Sequence, residues 1–293
     1  MRLRQHAVGL NFIDVYHRTG LYPQPLPFTP GVEGAGVVES VGPDVGSLKV
    51  GDRVAYAGPI GGYAQERLID ADRLVRLPES IDFEAAAAMM LQGMTARMLL
   101  RSVYPVAAGD TILVHAAAGG FGLILCQWAA ALGATVIGTV STDEKAELAR
   151  GHGCRHPIVT SRDDFVTEVD RITQGAKLPV VYDSVGRDTF LKSLDCLGSR
   201  GLMVSFGQSS GPVDSFSPNL LAQKGSLFLT RPTLFSYIAS RAELQASAAE
   251  LFAVVGSGQV RVEVKQRFAL ADAAQAHRAL EARTTTGSTI LTV

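Results

Sequence analysis

The feature that most constrains the fold of this chain is a glycine-rich turn between two apolar segments. Thr111–His115 predicts a β-strand, Gly119–Gly122 a tight turn, and the apolar segment 122–132 a helix. Glycine permits the sharp turn, and the N–H groups and positive dipole end of the helix attract a phosphate group. A second strand is predicted at Thr135–Val140. Glycines alone fit any tight turn, but this strand–turn–helix–strand order is typical of dinucleotide binding.

Alternating strands and helices follow this turn and predict an α/β fold. The further predicted strands are His156–Val159, Pro179–Asp183, Leu202–Phe206 and Ser226–Thr230. The further predicted helices are Asp143–Arg150, Asp163–Thr173 and Asp188–Leu197, and Ser141 with Glu144 predicts a capping box at the first of them. Apolar strands separated by helices are typical of a parallel sheet covered on both faces. We therefore expect a doubly wound Rossmann sheet with strand order 3-2-1-4-5-6.

The two ends of the chain predict a second, discontinuous domain. Short β-segments, typical of a small barrel-like domain, are predicted at His6–Leu10, Gly34–Val41, Arg53–Ala57 and Arg67–Leu77. A helix over 83–100, interrupted near Gly93, follows them. The C-terminal part predicts a helix from Ser240, capped with Glu243, then strand 260–268, helix 272–281 and strand 288–293. We expect this tail to return to the β-domain, which gives domains at 1–94 with 235–293 and at 95–234.

Charge and cysteine content narrow the function classes. The 27 basic and 28 acidic residues leave a net charge of −1, so no overall field attracts nucleic acid or an anionic membrane. Cys126, Cys154 and Cys196 are scattered, without a CxxC motif, which argues against a disulfide framework and a thiolate zinc site. The longest apolar stretch, Phe121–Leu132, is too short to span a bilayer, and no signal-peptide pattern is visible. We expect a soluble, cytoplasmic protein.

The end of the second predicted strand bears on which dinucleotide binds. NAD enzymes usually carry an acidic residue there to hold the ribose hydroxyl. This chain has Ser141 and Thr142, with Lys145 one turn later, and small hydroxyls with a cation suit the 2′-phosphate of NADP. The alternative is that Asp143 or Glu144 takes the acidic role, although both are already accounted for by the helix dipole.

The run from Gly109 to Gln127, Gly-Asp-x-x-Leu-x-x-x-Ala-Ala-Gly-Gly-x-Gly-x-x-x-x-Gln, resembles the signature of the quinone oxidoreductase/ζ-crystallin family. This is a zinc-free branch of the medium-chain dehydrogenase/reductase superfamily, and Ala130 departs from its usual basic residue. The resemblance covers nearly the whole chain, through Gly9–Asp14, Pro30–Gly36, Lys49–Val54, Val181–Gly186 and Gly201–Gly207. It implies that the β-domain is a discontinuous GroES-like β-barrel.

The same resemblance addresses the metal and the reaction. Where zinc-dependent members place a cysteine and a histidine ligand, this chain has Asn11 and Val32, neither of which replaces a thiolate or an imidazole on zinc. The family then implies zinc-free hydride transfer from NADPH to a quinone. Reduction of enals or enones on the same fold is the nearest alternative. A non-catalytic dinucleotide-binding or RNA-binding protein is a third, although the balanced charge argues against RNA.

The resemblance also assigns candidate site residues. It implies that a cleft between the domains holds the nicotinamide and the acceptor. Positions lining it from the β-domain are Asn11, Asp14, Tyr16 and Tyr22, of which either tyrosine is a candidate to bind or protonate the quinone, and Arg231 is added from the other domain. Cofactor positions are Thr95, Ala118, Gly119, Gly120, Phe121, Gly122, Ser141, Lys145, Thr160, Phe206, Gln208, Ser209 and Arg283. A packing role for Tyr22 and a solvated surface role for Arg231 and Arg283 are the alternatives.

Three further expectations come from the family. In some relatives a tyrosine covers the 2′-phosphate; Thr160 stands at that position, and Arg162 is the candidate to compensate. The apolar strand 225–231 at the outer edge of the sheet favours a homodimer through that strand. Family members carry a β-hairpin and a strand before the segment equivalent to Met1–His6, and we expect their loss to expose a sheet edge and lower stability.

Overall fold

The computed structural model describes residues 1–43 and 45–293, which divide into two units. Unit 1 comprises Met1–Arg97 and Tyr237–Val293, and unit 2 comprises Met98–Ser236. The strands are β1 (Arg2–Leu10), β2 (Glu33–Ser40), β3 (Arg53–Ala57), β4 (Glu66–Leu68), β5 (Val75–Arg76), β6 (Thr111–Val114), β7 (Thr135–Val140), β8 (Cys154–Val159), β9 (Leu178–Asp183), β10 (Leu197–Ser205), β11 (Phe228–Thr230), β12 (Val264–Ala269) and β13 (Ser288–Thr292). The helices are α1 (Phe12–Arg18), α2 (Phe83–Met98), α3 (Gly120–Ala131), α4 (Asp143–Arg150), α5 (Phe165–Thr173), α6 (Phe190–Asp195), α7 (Asn219–Gln223), α8 (Leu234–Tyr237), α9 (Arg241–Gly256) and α10 (Ala273–Glu281).

Unit 2 is built on a six-stranded parallel sheet in the order β11-β10-β9-β6-β7-β8. Numbered within the unit, this is the predicted order 3-2-1-4-5-6, and the prediction of a Rossmann sheet is confirmed. Leu113, Ile137, Val181 and Met203 come from four neighbouring strands and lie in one buried core. The strand order brings the carboxyl ends of β6, β7, β9 and β10 to the same edge, which is where open α/β sheets bind ligands.

Unit 1 contains a seven-stranded sheet in the order β12-β13-β1-β2-β3-β5, with β4 paired to β1. The C-terminal strand β13 runs antiparallel to β1, with Ala7 opposite Thr292, and β12 lies beside it. The prediction that the tail returns to the β-domain is therefore confirmed. Strand β1 pairs with β2 along one side and with β13 and β4 along the other, so β1 itself is an interior strand.

Two predicted elements in unit 1 are wrong. The segment 67–77 is not one strand, because β4 pairs with β1 whereas β5 pairs with β3, and a 3-10 turn at Ala71–Arg73 separates them. Helix α2 is not interrupted at Gly93. The glycine is required by packing rather than by a break: a Cβ at Gly93 would lie 2.4 Å from Cδ1 of Leu251 in α9.

A third correction concerns the start of α4. The N-cap is Thr142 and not Ser141, since the Thr142 hydroxyl accepts a hydrogen bond of 3.3 Å from the N–H of Lys145. By contrast, the capping box of Ser240 and Glu243 at α9 forms as predicted. Among the described residues, no helix combines the length and hydrophobicity that crossing a membrane would require.

Candidate functional site

The glycine turn of unit 2 lies between β6 and α3. Gly119 is the N-cap of α3, and its N–H donates to the carbonyl of Ala116 at 3.0 Å. A Cβ at Gly122 would lie 2.4 Å from that same carbonyl oxygen, so no larger residue fits without moving the backbone. The first amides of a helix have no acceptor within the helix, and here they belong to Gly120, Phe121 and Gly122. The turn therefore offers N–H donors and a positive dipole end to an anionic group.

Two other predicted residues frame this turn. Ala118, four residues after the end of β6, is 3% exposed. The ring of Phe121 lies 4.7 Å, centroid to centroid, from the ring of Phe206, which directly follows β10. The aromatic contact thus joins the glycine turn to the carboxyl end of a second strand. The predicted cofactor residues of the turn and of the β10 end are brought together.

The end of β7 places the predicted hydroxyls and cation on one small surface. Ser141 is exposed, Thr142 caps α4, and Lys145 lies in its first turn. The carboxylate of Asp143 accepts two hydrogen bonds of 2.9 Å from Arg162. The negative charge of Asp143 is thereby compensated, which weakens its candidacy for holding a ribose hydroxyl. Thr160 donates its hydroxyl to the carbonyl of Val140 at 3.0 Å, which fixes it beside the strand end.

The residues after β10 form a turn that Arg231 supports. The Arg231 guanidinium donates to the carbonyl of Ser205 at 2.8 Å and to that of Gly207 at 3.3 Å. Ser209 donates its N–H to the carbonyl of Ser184 at 3.2 Å, and Gln208 lies in the same turn. In unit 2 Arg231 thus fixes the backbone next to Phe206, a contact that the sequence did not reveal.

The predicted residues of unit 1 gather at the start of α1. Asn11 is its N-cap, and Asp14, three residues later, accepts the N–H of Asn11 at 2.9 Å. Tyr16 is buried, and its ring lies 5.1 Å from that of Tyr22 in an edge-on arrangement. This contact supports a packing role for Tyr22.

The Asn11 side chain is held between two other side chains. Its Nδ2 donates to Glu33 Oε2 at 2.7 Å, and its Oδ1 accepts from Gln92 Nε2 at 3.0 Å. Glu33 also accepts the N–H of Leu91 at 2.7 Å and is fully buried. Burial raises the pKa of Glu33 to about 8, although the hydrogen bonds from Asn11 and Leu91 oppose the shift. The amide of Asn11 therefore has a fixed orientation.

The carboxyl group of Asp14, in the short helix α1, lies in an environment that is unfavourable for a negative charge. It is fully buried, and burial raises its pKa to about 7. Tyr63 donates its hydroxyl to Oδ2 of Asp14 at 3.3 Å, and the same hydroxyl lies 2.9 Å from Nε2 of His277. Within the described part of the chain, Oδ1 of Asp14 has no hydrogen-bond partner. Perturbed, incompletely satisfied carboxyl groups are typical of functional sites.

Two predicted cofactor residues of unit 1 lie outside this cluster of contacts. Thr95 donates its hydroxyl to the carbonyl of Leu91 within α2, at 2.6 Å, and keeps lone pairs available. Arg283 is exposed after α10, with a left-handed φ of +58°.

Four residues of unit 1 that contact the candidate residues Asn11 and Asp14, directly or through Tyr63, were not predicted from the sequence: Glu33, Tyr63, Gln92 and His277. Glu33 could have been identified from the sequence, because it ends the Gly31-Val32-Glu33 motif, in which Val32 stands where zinc-dependent relatives carry a histidine ligand. No local sequence pattern pointed to Tyr63 and His277, since 214 residues separate them and only the return of the C-terminal tail brings them into contact.

The chain matches two family models and many known proteins. Residues 1–79 match the alcohol dehydrogenase GroES-like domain, and residues 120–253 match the zinc-binding dehydrogenase model. The quinone oxidoreductase of Pseudomonas aeruginosa is 56% identical over 99% of this chain and 90% of its own length. The 2-haloacrylate reductase of a Burkholderia species is 47% identical with the same coverage.

A solved structure provides the third comparison. The Escherichia coli quinone oxidoreductase complexed with NADPH superposes with a TM-score of 0.98 and is 49% identical, covering 100% of this chain and 91% of that one. Identity at this level over nearly all of both chains exceeds what a shared fold alone requires. On these grounds, the chain belongs to the quinone oxidoreductase family of the medium-chain dehydrogenase/reductase superfamily.

Proposed function

We propose that this protein is an NADPH-dependent quinone reductase that transfers a hydride without a metal ion. The observation that carries the proposal is the glycine turn between β6 and α3, where Gly122 admits no Cβ, in a chain 49% identical to an enzyme crystallised with NADPH. The N–H groups that start α3 would hold the pyrophosphate. When bound, NADPH supplies the hydride, and the chain supplies orientation and a proton.

NADPH is expected to be preferred over NADH because the end of β7 carries the hydroxyl of Ser141 and the cation of Lys145, and the first turn of α4 already accounts for Glu144 through the helix dipole. Asp143 is paired with Arg162, whereas Ser141 and Lys145 present a hydroxyl and a cation. A 2′-phosphate would add two negative charges next to them, which a cation stabilises. Thr160, Gln208, Ser209, Phe206, Thr95 and Arg283 remain proposed cofactor contacts.

Asn11 and Asp14 are the proposed polar residues of the quinone site in unit 1, with Tyr16 and Tyr22 as proposed neighbours. Arg231, in unit 2, remains a proposed catalytic residue. Asn11 stands where zinc-dependent relatives place a thiolate, and its amide is held by Glu33 and Gln92. A neutral amide in a fixed orientation positions a carbonyl oxygen but is a poor zinc ligand. Although the matching family model is described as a zinc-binding dehydrogenase, Asn11 does not suit this chain to binding zinc at that position.

The test is steady-state oxidation of NADPH with a simple quinone, repeated with NADH. We expect Lys145→Gln to raise KM for NADPH about 10-fold, equivalent to about 1.4 kcal/mol of lost phosphate binding, with little change for NADH. Lys49→Gln, an exposed lysine of unit 1, is the matched control. Equal use of the two nucleotides by the unchanged protein would contradict the assignment of Ser141 and Lys145.

A second substrate class is favoured by one observation. The 2-haloacrylate reductase, at 47% identity, is as similar to this chain as several quinone oxidoreductases are. Hydride transfer to an activated alkene needs the same cofactor and also consumes one proton. NADPH oxidation with a haloacrylate or an enone faster than with any quinone would assign the alkene reaction instead. NADPH binding without turnover on either class would favour a non-catalytic dinucleotide-binding protein.

We also propose a homodimer formed through β11 and a cytoplasmic location. Strand β11 pairs only with β10 among the described residues, and its Phe228 and Leu229 are 61% and 37% exposed. An exposed apolar edge strand invites pairing with a second copy. Sedimentation that gives a monomer mass for the unchanged protein would contradict the dimer, and Leu229→Lys is expected to dissociate it. The location follows from the need for NADPH, which is produced inside cells.

A further inference from the structure

The glycine turn of unit 2 begins at a backbone position that needs support from elsewhere. Ala116, two residues after the end of β6, has a left-handed φ of +55°, a conformation that a residue with a Cβ adopts only at a cost in free energy. Its carbonyl accepts the N–H of Gly119 at 3.0 Å, and a Cβ at Gly122 would lie 2.4 Å from the same oxygen. The position of Ala116 therefore determines where the first N–H groups of α3 point.

The support comes from the carboxyl end of β7. The N–H of Ala116 donates to the hydroxyl of Thr139 at 3.3 Å, and the N–H of Ala117 donates to the carbonyl of Thr139 at 3.0 Å. Gly138 leaves room for this contact, since a Cβ there would lie 2.6 Å from the Cβ of Ala117. The turn is thus attached to β7 through both the backbone and the side chain of one threonine.

The Thr139 hydroxyl is itself held by a buried imidazole. Nδ1 of His115 lies 2.9 Å from Oγ1 of Thr139, and Nε2 of His115 lies 2.9 Å from Oγ of Ser193. His115 and Ser193 are 0% exposed. Burial lowers the pKa of His115, although the carboxylate of Asp183 opposes the shift, so the imidazole is neutral at pH 7 and carries one proton.

The hydrogen-bond partners assign that proton to Nε2. The Ser193 hydroxyl has acceptors of its own, the carbonyl of Thr189 at 2.8 Å and Oδ2 of Asp183 at 3.4 Å, so its lone pairs are available to Nε2–H. Among the described residues, Nδ1 of His115 is the only acceptor for the hydroxyl proton of Thr139. With the proton on Nε2, each of these hydroxyls has an acceptor, and Oγ1 of Thr139 keeps a lone pair for the N–H of Ala116.

Thr139 also connects two parts of the proposed cofactor site. Ser141, a candidate for the 2′-phosphate, follows it by two residues, and Thr142 begins α4, which carries Lys145. The pyrophosphate donors of α3 and the 2′-phosphate candidates are therefore both fixed to the end of β7. Donors that are arranged before binding give higher affinity, because they lose less conformational freedom when the ligand arrives.

We propose that Thr139 and His115 are positioning residues for nucleotide binding: Thr139 holds Ala116, and with it the first N–H groups of α3, in place for the pyrophosphate, and His115 locks the Thr139 hydroxyl as an acceptor. The proposal rests on the proposed function, since it concerns the same cofactor site. Both side chains act through the backbone of Ala116. Loss of the Thr139 hydroxyl should therefore weaken every nucleotide that has a pyrophosphate, with or without a 2′-phosphate, in contrast to Lys145→Gln.

The binding test compares two threonines of β7. Thr139→Val keeps the shape of the side chain and removes its hydroxyl, whereas Thr135→Val removes a hydroxyl at the start of the same strand. In calorimetric titrations we expect Kd for NADPH and for NADH to rise about 10-fold in Thr139→Val and to stay within about two-fold in Thr135→Val. Thr139→Ser keeps the hydroxyl and should bind both nucleotides like the unchanged protein.

Two further readouts separate positioning from a general loss of structure. Adenosine 2′-monophosphate has no pyrophosphate, so its Kd should stay within about two-fold in Thr139→Val. In steady-state assays with a quinone, Thr139→Val should raise KM for NADPH about 10-fold and leave kcat within about two-fold, because binding is weakened and hydride transfer is not. Thermal melting checks that each variant is folded.

A second measurement uses the unchanged protein and needs no turnover. Nitrogen NMR of histidine-labelled protein reports which ring nitrogen carries the proton, and the His115 signals are identified by their shift in Ser193→Ala. We expect His115 to carry its proton on Nε2 at neutral pH, with and without NADPH. A proton on Nδ1 would overturn the locking by His115, since the Thr139 hydroxyl would then have no acceptor. If Thr139→Val failed to fold, this measurement would decide the proposal.

The outcomes distinguish positioning from the proposed function. An unaltered Kd for NADPH in Thr139→Val, with normal turnover in the unchanged protein, would overturn the positioning role and leave quinone reduction intact. Weakening confined to NADPH, with NADH unaffected, would also overturn it, since the hydroxyl would then act on the 2′-phosphate. If the unchanged protein bound NADPH and reduced no quinone, the proposed reaction would be wrong, and the binding comparison would still decide the role of Thr139.

Discussion

Each unit buries a cluster of polar side chains, and the two clusters are built in opposite ways. The histidine network of unit 2 consists of His115, Thr139, Asp183, Thr189 and Ser193. The acidic cluster of unit 1 consists of Asp14, Glu33, Tyr63 and His277. His115 and Asp183 are as fully buried as Asp14 and Glu33, at 0% exposed. Burial alone therefore does not distinguish them.

The difference lies in hydrogen bonding. His115 has a partner on each ring nitrogen, Thr139 and Ser193, both at 2.9 Å. Asp183 accepts the N–H groups of Val185 and Gly186 at 2.8 and 3.0 Å, and the hydroxyl of Thr189. In the acidic cluster, by contrast, Asp14 and His277 each keep a buried atom without a partner in the described residues.

This contrast indicates that the histidine network and the acidic cluster have different roles. A fully satisfied network stabilises one arrangement, here the turn that leads from β9 into α6 and the strand ends beside the glycine turn. A partly satisfied cluster with raised carboxyl pKa values is costly for stability and suited to proton exchange. The comparison predicts that equivalent substitutions in the two units should have opposite effects.

The largest effect is expected from Asp183→Asn. An amide can keep its oxygen at the Oδ1 position, which accepts both N–H groups, but its NH2 would then replace Oδ2, which accepts from the hydroxyls of Thr189 and Ser193 at 2.8 and 3.4 Å. The substitution also removes the negative charge that strengthens these hydrogen bonds. We expect the free energy of unfolding to fall by about 3 kcal/mol, measured by urea denaturation at pH 7. Asp163→Asn, which affects an exposed ion pair with Arg162, is the control and should change stability by less than about 0.5 kcal/mol. If the free energy of unfolding fell by less than about 1 kcal/mol in Asp183→Asn, the histidine network would not stabilise the fold in the way that the comparison requires.

The isosteric substitution Asp14→Asn should do the opposite at alkaline pH. The pKa of Asp14 is raised from 3.8 to about 7, so its stabilising effect is complete below about pH 4 and lost as pH rises through about 7. An amide can keep the bonds to Asn11 and Tyr63 without a buried charge. We therefore expect stability at pH 8.5 to rise by on the order of 2 kcal/mol relative to the unchanged protein, and the pH slope to become shallower.

The control for this experiment is Asp72→Asn, a mostly exposed aspartate of unit 1. It should leave the pH dependence of unfolding as it is. The slope that remains in Asp14→Asn is assigned to Glu33, whose pKa is also raised by burial, to about 8. If Asp14→Asn destabilised the protein equally at pH 5 and pH 8.5, the Asp14 carboxylate would be a structural group like that of Asp183.

The smallest effect is expected from Ser193→Ala. It removes the partner of His115 Nε2 at 2.9 Å and a long contact of 3.4 Å to Asp183, while Asp183 keeps its other donors. One unsatisfied ring nitrogen should lower the free energy of unfolding by about 1 kcal/mol. Ser199→Ala, an exposed serine bonded to the carbonyl of Gly225, should be near neutral. Equal losses in the two variants would show that the network is not cooperative.

Much of the fold could be predicted from local pattern. The β–α alternation and the glycine turn predicted a parallel sheet for unit 2, and its strand order is the one typical of dinucleotide-binding Rossmann sheets. The Ser240–Glu243 cap was also predicted correctly, since its two side chains need only each other and the helix start. Signals that act within a few residues are visible in the sequence.

Errors occurred where a distant partner decides. Gly93 was predicted to interrupt a helix, but a glycine is needed there because Leu251 occupies the space that a side chain would fill. The segment 67–77 resembles one strand, but its two halves pair with different strands. In both places the local sequence pattern agrees with the prediction, but contacts with residues distant in the sequence decide the structure.

The sequence by itself determined the family, the glycine turn, the parallel sheet and the identity of Asn11, Asp14, Ser141 and Lys145 as site candidates. These depend on short-range geometry and on residue types that a motif carries. Only the tertiary structure decided that Asp14 is buried with a raised pKa, and that Tyr63 and His277 join it. The physical reason is that desolvation and hydrogen bonding depend on which atoms surround a group, and here those atoms come from α1, the loop after β3 and the distant helix α10.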